Sequence, residues 1–88
     1  MLVAEKTSCG AAKKGKGKQK NADNCAELCK EENSPMFSFG RSETYYSQYC
    51  FCEIGANQNG TCREMTDIRY DLFKYVEGES ANMIWYRF

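Results

Sequence analysis

The stretch YCFC (residues 49–52) decides how this chain folds. Strand alternation puts Cys50 and Cys52 on one face and Tyr49 and Phe51 on the other. Upstream, CAELC (residues 25–29) sets Cys25, Leu28 and Cys29 at i, i+3 and i+4, on one face of a helix. The helical cysteines lie about 6 Å apart along the axis at about 1.5 Å per residue. The strand cysteines lie about 6–7 Å apart at about 3.3 Å per residue. Two bridges can therefore fasten the helix across the strand without stretching either. The spacings leave open which helical cysteine meets which strand cysteine.

Zinc and redox chemistry are the competing uses of these four thiols. C-x3-C and C-x-C are less common in zinc sites than C-x2-C, and the chain has no histidine to complete such a set. A redox pair calls for C-x-x-C near a βαβ pattern, and neither is present. No metal or cofactor is therefore expected. Six cysteines among 88 residues, an even number, point to three bridges made in an oxidising compartment. The third pair is then Cys9 with Cys62. Closing that loop of about 50 residues contributes about 4 kcal/mol in the chain-entropy model. A core of this size rarely supplies more than about 3–5 kcal/mol, so the bridges decide whether the domain folds.

Around these anchors the pattern predicts an α+β fold in a single domain, a small antiparallel sheet packed on one short helix. The helix covers 21–33, with Asn21 as N-cap and Asp23 in the first turn. Asn24 with Glu27 offers a capping box one turn later. Asn33-Ser34-Pro35 ends it, because a residue before proline avoids helical geometry. Strands are expected at LVA (2–4), at MFSFG (36–40), within ETYYSQYCFCE (43–53), at TCRE (61–64) and at RYDLFKYV (69–76). In the last, Tyr70, Leu72 and Val76 share one face, and Phe73 and Tyr75 the other. Asn59-Gly60 closes a turn cluster at 55–60. Phe37, Phe39 and Leu72 are expected in the core, and Tyr45 and Tyr46 outside it near a loop edge.

The order of these features resembles a known family. A lone Cys9 precedes CAELC, then FSFG (37–40), C-F-C (50–52), Cys62 and YDLFKY (70–75). Across about residues 9–76 this is similar to the PAN/apple family of extracellular modules. The resemblance implies a small antiparallel sheet cradling one helix, and nested bridges Cys9–Cys62, Cys25–Cys52 and Cys29–Cys50. The C-x3-C, F-x-F-G and C-F-C core is also similar to the carbohydrate-binding WSC modules, although Glu53 stands where those usually carry glycine.

Catalysis has little to stand on. Without histidine there is no Ser-His or Cys-His arrangement, and KKGKGKQK (13–20) lacks the order of a phosphate-cradling loop. Glu31-Glu32 and the pair Asp67 and Asp71 read as solvated surface charges. No catalytic residue is expected.

Binding residues are easier to nominate. Tyr45 and Tyr46 can stack on sugars or anchor a protein interface. Residues 1–20 hold six lysines against one glutamate, net +5, in a chain of net charge zero. Lys13, Lys14, Lys16 and Lys18 of segment 11–20 read as a solvated loop, or more sharply as a polyanion patch. Nucleic acid is not expected as a partner, because that stretch holds no aromatic residue and the other 68 residues sum to −5. Asn59-Gly60-Thr61 fits the acceptor sequence for an N-linked glycan, although Asn-Gly already has a role in a turn. In segment 80–88, Met83, Ile84, Trp85, Tyr86 and Phe88 are too apolar for a free terminus. They pack back on the domain or dock on a protein partner.

No run approaches the roughly 18 apolar residues of a membrane span. Bridged cysteines imply a secreted location or another oxidising lumen, reached with a targeting segment removed from this chain. The function expected is a non-catalytic binding or assembly module for protein or carbohydrate partners. The alternatives are a small accessory subunit of a larger complex, and a secreted signal, toxin or inhibitor.

Overall fold

A computed structural model of the chain describes residues 1–76; the apolar stretch 82–88, with Trp85, Tyr86 and Phe88, lies outside the described residues. In chain order the elements are β1 (Leu2–Ala4), β2 (Thr7–Cys9), β3 (Lys14–Lys18), α1 (Ala22–Glu31), β4 (Met36–Gly40), β5 (Tyr49–Cys52), β6 (Glu64–Thr66) and β7 (Tyr70–Lys74).

Helix α1 starts where a side chain can take over an orphan backbone donor. The Asn21 carboxamide oxygen accepts from the Asn24 N–H at 3.0 Å, and Asp23 lies in the first turn. The helix stops through its backbone. Asn33 takes a left-handed φ of 57°, its N–H reaches the Lys30 carbonyl, and the Ser34 N–H reaches that of Cys29. Pro35 then bars continuation.

Five strands form an antiparallel sheet in the order β1-β7-β4-β5-β3, and β2 pairs with β6 as a separate ribbon. Central β4 sets the register: Phe37 lies opposite Phe73 on β7 and opposite Cys52 on β5. Alternation splits the sheet into two faces, each with its own buried cluster. Under α1 lie Cys25, Cys29, Cys50, Cys52, Ala22, Ala26, Phe37 and Phe73, with Phe39 partly buried beside them. The Phe37 and Phe73 rings stack there at 5.2 Å. On the opposite face, Met36 and Leu72 pack with Ala56 and with Cys9 of the β2–β6 ribbon. Leu72 is therefore core, but on the other side of the sheet from Phe37.

Three bridges hold these layers: Cys9–Cys62, Cys25–Cys50 and Cys29–Cys52. The helix is thus stapled to the strand, but not in the nested order implied by the PAN/apple resemblance, Cys25–Cys52 with Cys29–Cys50. The reason lies in the chain just before each element. The Gln19 N–H donates to the Gln48 carbonyl at 2.9 Å, and the Gln48 side chain donates to the Lys20 carbonyl. The start of α1 therefore sits over the start of β5, and the first cysteine of each meets the first of the other. The Cys29 and Cys50 sulfurs still lie only 3.8 Å apart across the two bridges, which is why spacing alone could not separate the two schemes.

Two further expectations are corrected. The lysine stretch is not a free loop. Lys14–Lys18 forms the edge strand β3 against β5, with a register shift between Gly15 and Gly17. Gly17 takes a φ of +73° there, a conformation a glycine adopts at little cost. Lysines on an edge strand also discourage pairing with another chain. Conversely, residues 42–48 are a series of turns and bends, so the aromatic strand begins only at Tyr49.

Candidate functional site: a tyrosine and arginine surface

One end of the sheet, away from α1, collects aromatic rings from three elements. Tyr49 and Phe51 come from β5, Tyr70 from the start of β7, and Tyr45 and Tyr46 from the loop between β4 and β5. Strand alternation turns Tyr49, Phe51 and Tyr70 to the face opposite the cysteines. Ser38 and Gly40, the β4 residues between them, are small, so the rings meet across that strand. Phe51 and Tyr70 lie edge to face at 5.4 Å, as do Tyr46 and Tyr49 at 5.9 Å, and Tyr46 and Tyr70 are tilted at 5.8 Å.

The loop carrying Tyr45 and Tyr46 is held down at its base. A Cβ on Gly40 would lie 1.6 Å from the Tyr46 carbonyl oxygen, so only glycine lets the loop backbone settle on β4. The Thr44 hydroxyl donates to the Arg41 carbonyl at 2.9 Å and accepts from the Tyr46 N–H at 3.2 Å. Arg41 is itself anchored on buried Asp71 at 2.5 Å, and Asp71 also accepts the Lys6 N–H. The structure thus corrects the reading of Asp71 as a solvated charge. On β7 its position matches that of Phe73, facing the helix side beside Phe39.

Arg69 completes the surface. Its guanidinium lies 5.2 Å from the centre of the Tyr46 ring and 5.0 Å from that of Tyr70. It also makes a two-pronged pair with Asp67, at 2.8 and 2.7 Å. That pair holds the Asp67 carboxyl below the usual carboxylate range, mainly through the Arg69 side-chain hydrogen bonds, and keeps the guanidinium charged. Burial pushes the Tyr70 phenol up, so it stays neutral at ordinary pH. Lys18, at the end of β3, stands 5.7 Å from the centre of the Tyr49 ring. Above this packed base Tyr45 is 87% exposed, its ring edge-on to Tyr46 at 5.5 Å.

The four nominated lysines do not form one patch. Lys14 and Lys16 both pair with Glu32 near the end of α1. The Lys13 ammonium enters the molecule, donating to Glu53 at 2.9 Å and to the Cys9 carbonyl. Glu53 is fully buried and also accepts from the Ser38 hydroxyl and the Cys9 N–H. Of the four, Lys18 alone joins the tyrosine surface.

Sequence reasoning nominated Tyr45 and Tyr46, and the structure brings them together with Tyr49, Tyr70 and Arg69. Arg69, Gly40 and Glu53 were missed. One of the rings Arg69 covers, Tyr70, is its neighbour in the chain, but the other, Tyr46, comes from the loop after β4, and no local pattern joins the two. Glu53 does carry a faint signal, since alternation places it with Phe51 on a face that could be covered. The group that neutralises it, Lys13, is 40 residues away.

Asn59 lies at the other end of the sheet, in a turn closed by the Gly60 N–H to the Asn57 carbonyl at 2.9 Å. No helix among the described residues is long and apolar enough to cross a membrane. Three bridges are consistent with an oxidising compartment. Comparison with protein families, with curated proteins and with solved structures returned no match.

Proposed function

We propose that this chain is a non-catalytic binding module that holds a protein or glycan partner on its tyrosine and arginine surface. One observation carries the reading: Tyr45 is exposed at the tip of a loop whose base is immobilised by Gly40, Arg41–Asp71 and the Arg69–Tyr46 stack. An exposed aromatic side chain on a preorganised support loses little conformational entropy on binding, and such residues dominate interface energetics. Tyrosine and arginine both suit protein hot spots, and tyrosine rings stack on sugar faces.

Three bridges support placing the module outside the cell or in the secretory lumen. One helix on a small antiparallel sheet, with the outer cysteines joined, supports kinship with PAN/apple-like architecture. The inner bridges depart from that family's nested scheme, so the kinship proposed is one of fold.

The test is a glycan array run beside affinity capture from an extracellular protein mixture, each with the wild type, Tyr45→Ala and Arg69→Ala. Binding in one format, lost at least about tenfold in both variants, supports the reading and separates glycan from protein. Binding indifferent to both substitutions, or absent in both formats, sinks it.

A further inference from the structure

We infer that Asn59 is an N-glycosylation site, and that its glycan projects from the pole of the sheet opposite the tyrosine surface. The inference rests on the secretory-lumen part of the reading above and is independent of what the tyrosines bind.

Asn-Gly in a turn has an ordinary explanation, which is that asparagine tolerates left-handed backbone. That explanation fails here. The positive φ of this turn belongs to Gly60, at 80°, whereas Asn59 is not among the left-handed residues. Asn33, at the end of α1, does use that tolerance. Nor does the loop depend on the Asn59 amide nitrogen. Residues 57–61 are closed by three bonds that leave it out: the Gly60 N–H to the Asn57 carbonyl, the Asn57 N–H to the Thr61 carbonyl, and the Asn57 side chain to the Thr61 hydroxyl at 3.0 Å. The Asn59 side chain adds to these only through its oxygen, which accepts from the Thr61 hydroxyl at 2.7 Å. Among the described residues the Asn59 amide nitrogen has no acceptor.

The two side chains that a glycosyl transferase must engage therefore lie side by side, and both residues are exposed. In the reaction, the Asn59 amide nitrogen bonds to C1 of the first sugar of a lipid-diphosphate-linked oligosaccharide. The bond from C1 to the diphosphate oxygen breaks and the lipid diphosphate departs. The nitrogen loses one proton to a base of the transferase.

Position decides the consequence. A Cβ on Gly60 would lie 2.5 Å from the Lys74 side chain, and Gln58 donates to the Asn33 carbonyl, so the turn sits where β7 and α1 end. Tyr70 is at the opposite end of β7, about 13 Å away along a five-residue strand. A glycan at Asn59 would shield the Met1, Lys74 and Thr61 side of the molecule and leave Tyr45 open.

The experiment is expression of the whole chain behind a cleavable leader in a eukaryotic secretory host. Intact mass is read before and after an amidase that removes N-linked glycans. The wild type should carry glycan mass, lost on digestion with aspartate left at 59. Asn59→Gln and Thr61→Ala should be secreted without it, and Thr61→Ser should keep it at equal or lower occupancy. If a variant is retained in the cell, the wild-type peptide spanning 57–63 locates the glycan directly. Wild-type protein secreted at bare polypeptide mass overturns the inference. That result would leave binding by the tyrosine surface untouched, just as failed binding would leave the glycan in place.

Discussion

The two faces of the central sheet are built from different chemistry. Under α1 the contacts are mainly covalent and apolar, two bridges and the Phe37–Phe73 stack, with the Arg41–Asp71 pair at the edge near β1. On the opposite face a smaller apolar cluster around Met36 and Leu72 shares the space with a buried ion pair, Lys13–Glu53, before giving way to the tyrosines and Arg69. The first face is closed by α1 over β4, β5 and β7, and its two bridges join only α1 and β5. The second uses β4, β5 and β7 as well, and adds β2, the segment before β3 and the loop between β4 and β5. Its integrity therefore depends on the whole topology, and it is the face that carries the candidate site.

This contrast predicts a graded series of effects. Replacing Cys25, Cys29, Cys50 and Cys52 together with serine removes both staples. The first bridge lost frees a loop of 23 or 25 residues, worth about 3.5 kcal/mol in the chain-entropy model. The second adds enough to exceed the stability of so small a core. Circular dichroism should then show no cooperative melting transition; a sharp transition would show that the apolar contacts suffice alone.

Glu53→Gln attacks the other face. Breaking a buried pair from one side typically costs about 3–5 kcal/mol. Lys13 is 26% exposed and can regain water, so the expected loss is about 2 kcal/mol, read from urea midpoints. Lys14→Ala, on an exposed pair, should leave the midpoint unmoved, and equal losses in the two variants would erase the distinction drawn here. Gly40→Ala forces the Tyr46 carbonyl away. It should cost about 1–3 kcal/mol, as overpacking does, and should disperse the tyrosine ring signals in NMR while leaving those of Phe37 and Phe73 in place.

The smallest effect concerns pH. Arg69 lowers the folded-state pKa of Asp67, so the pair's stabilisation is present in full above the usual carboxylate range. It is lost as pH falls through the lowered value. Arg69 is half exposed, so the term is about 0.5 kcal/mol. Asp67→Asn should flatten that part of the acid limb in a stability-versus-pH series, and an unchanged limb would assign it to other carboxylates.

The cysteine spacing, the Asn21 cap, the Pro35 stop and the alternation in MFSFG and RYDLFKYV made the helix and the two central strands legible, because each is set by neighbours within a few residues. The lysine–glycine strand β3 was not legible. Its pairing partner is over 30 residues away, and lysine and glycine have weak strand preferences of their own. The candidate site was half legible: Tyr45 and Tyr46 stand out as exposed aromatics, whereas Arg69 and Gly40 matter only once the loop after β4 has folded onto the start of β7.

Local sequence thus determined that one short helix would be stapled to a cysteine-bearing strand, since periodicity alone aligns sulfur with sulfur. Tertiary structure decided which sulfurs join, that the lysines become an edge strand with Lys13 pinned inside, and that one arginine lies over two tyrosines. Those outcomes follow from long-range register and burial, where groups tens of residues apart must satisfy each other at the same point in space.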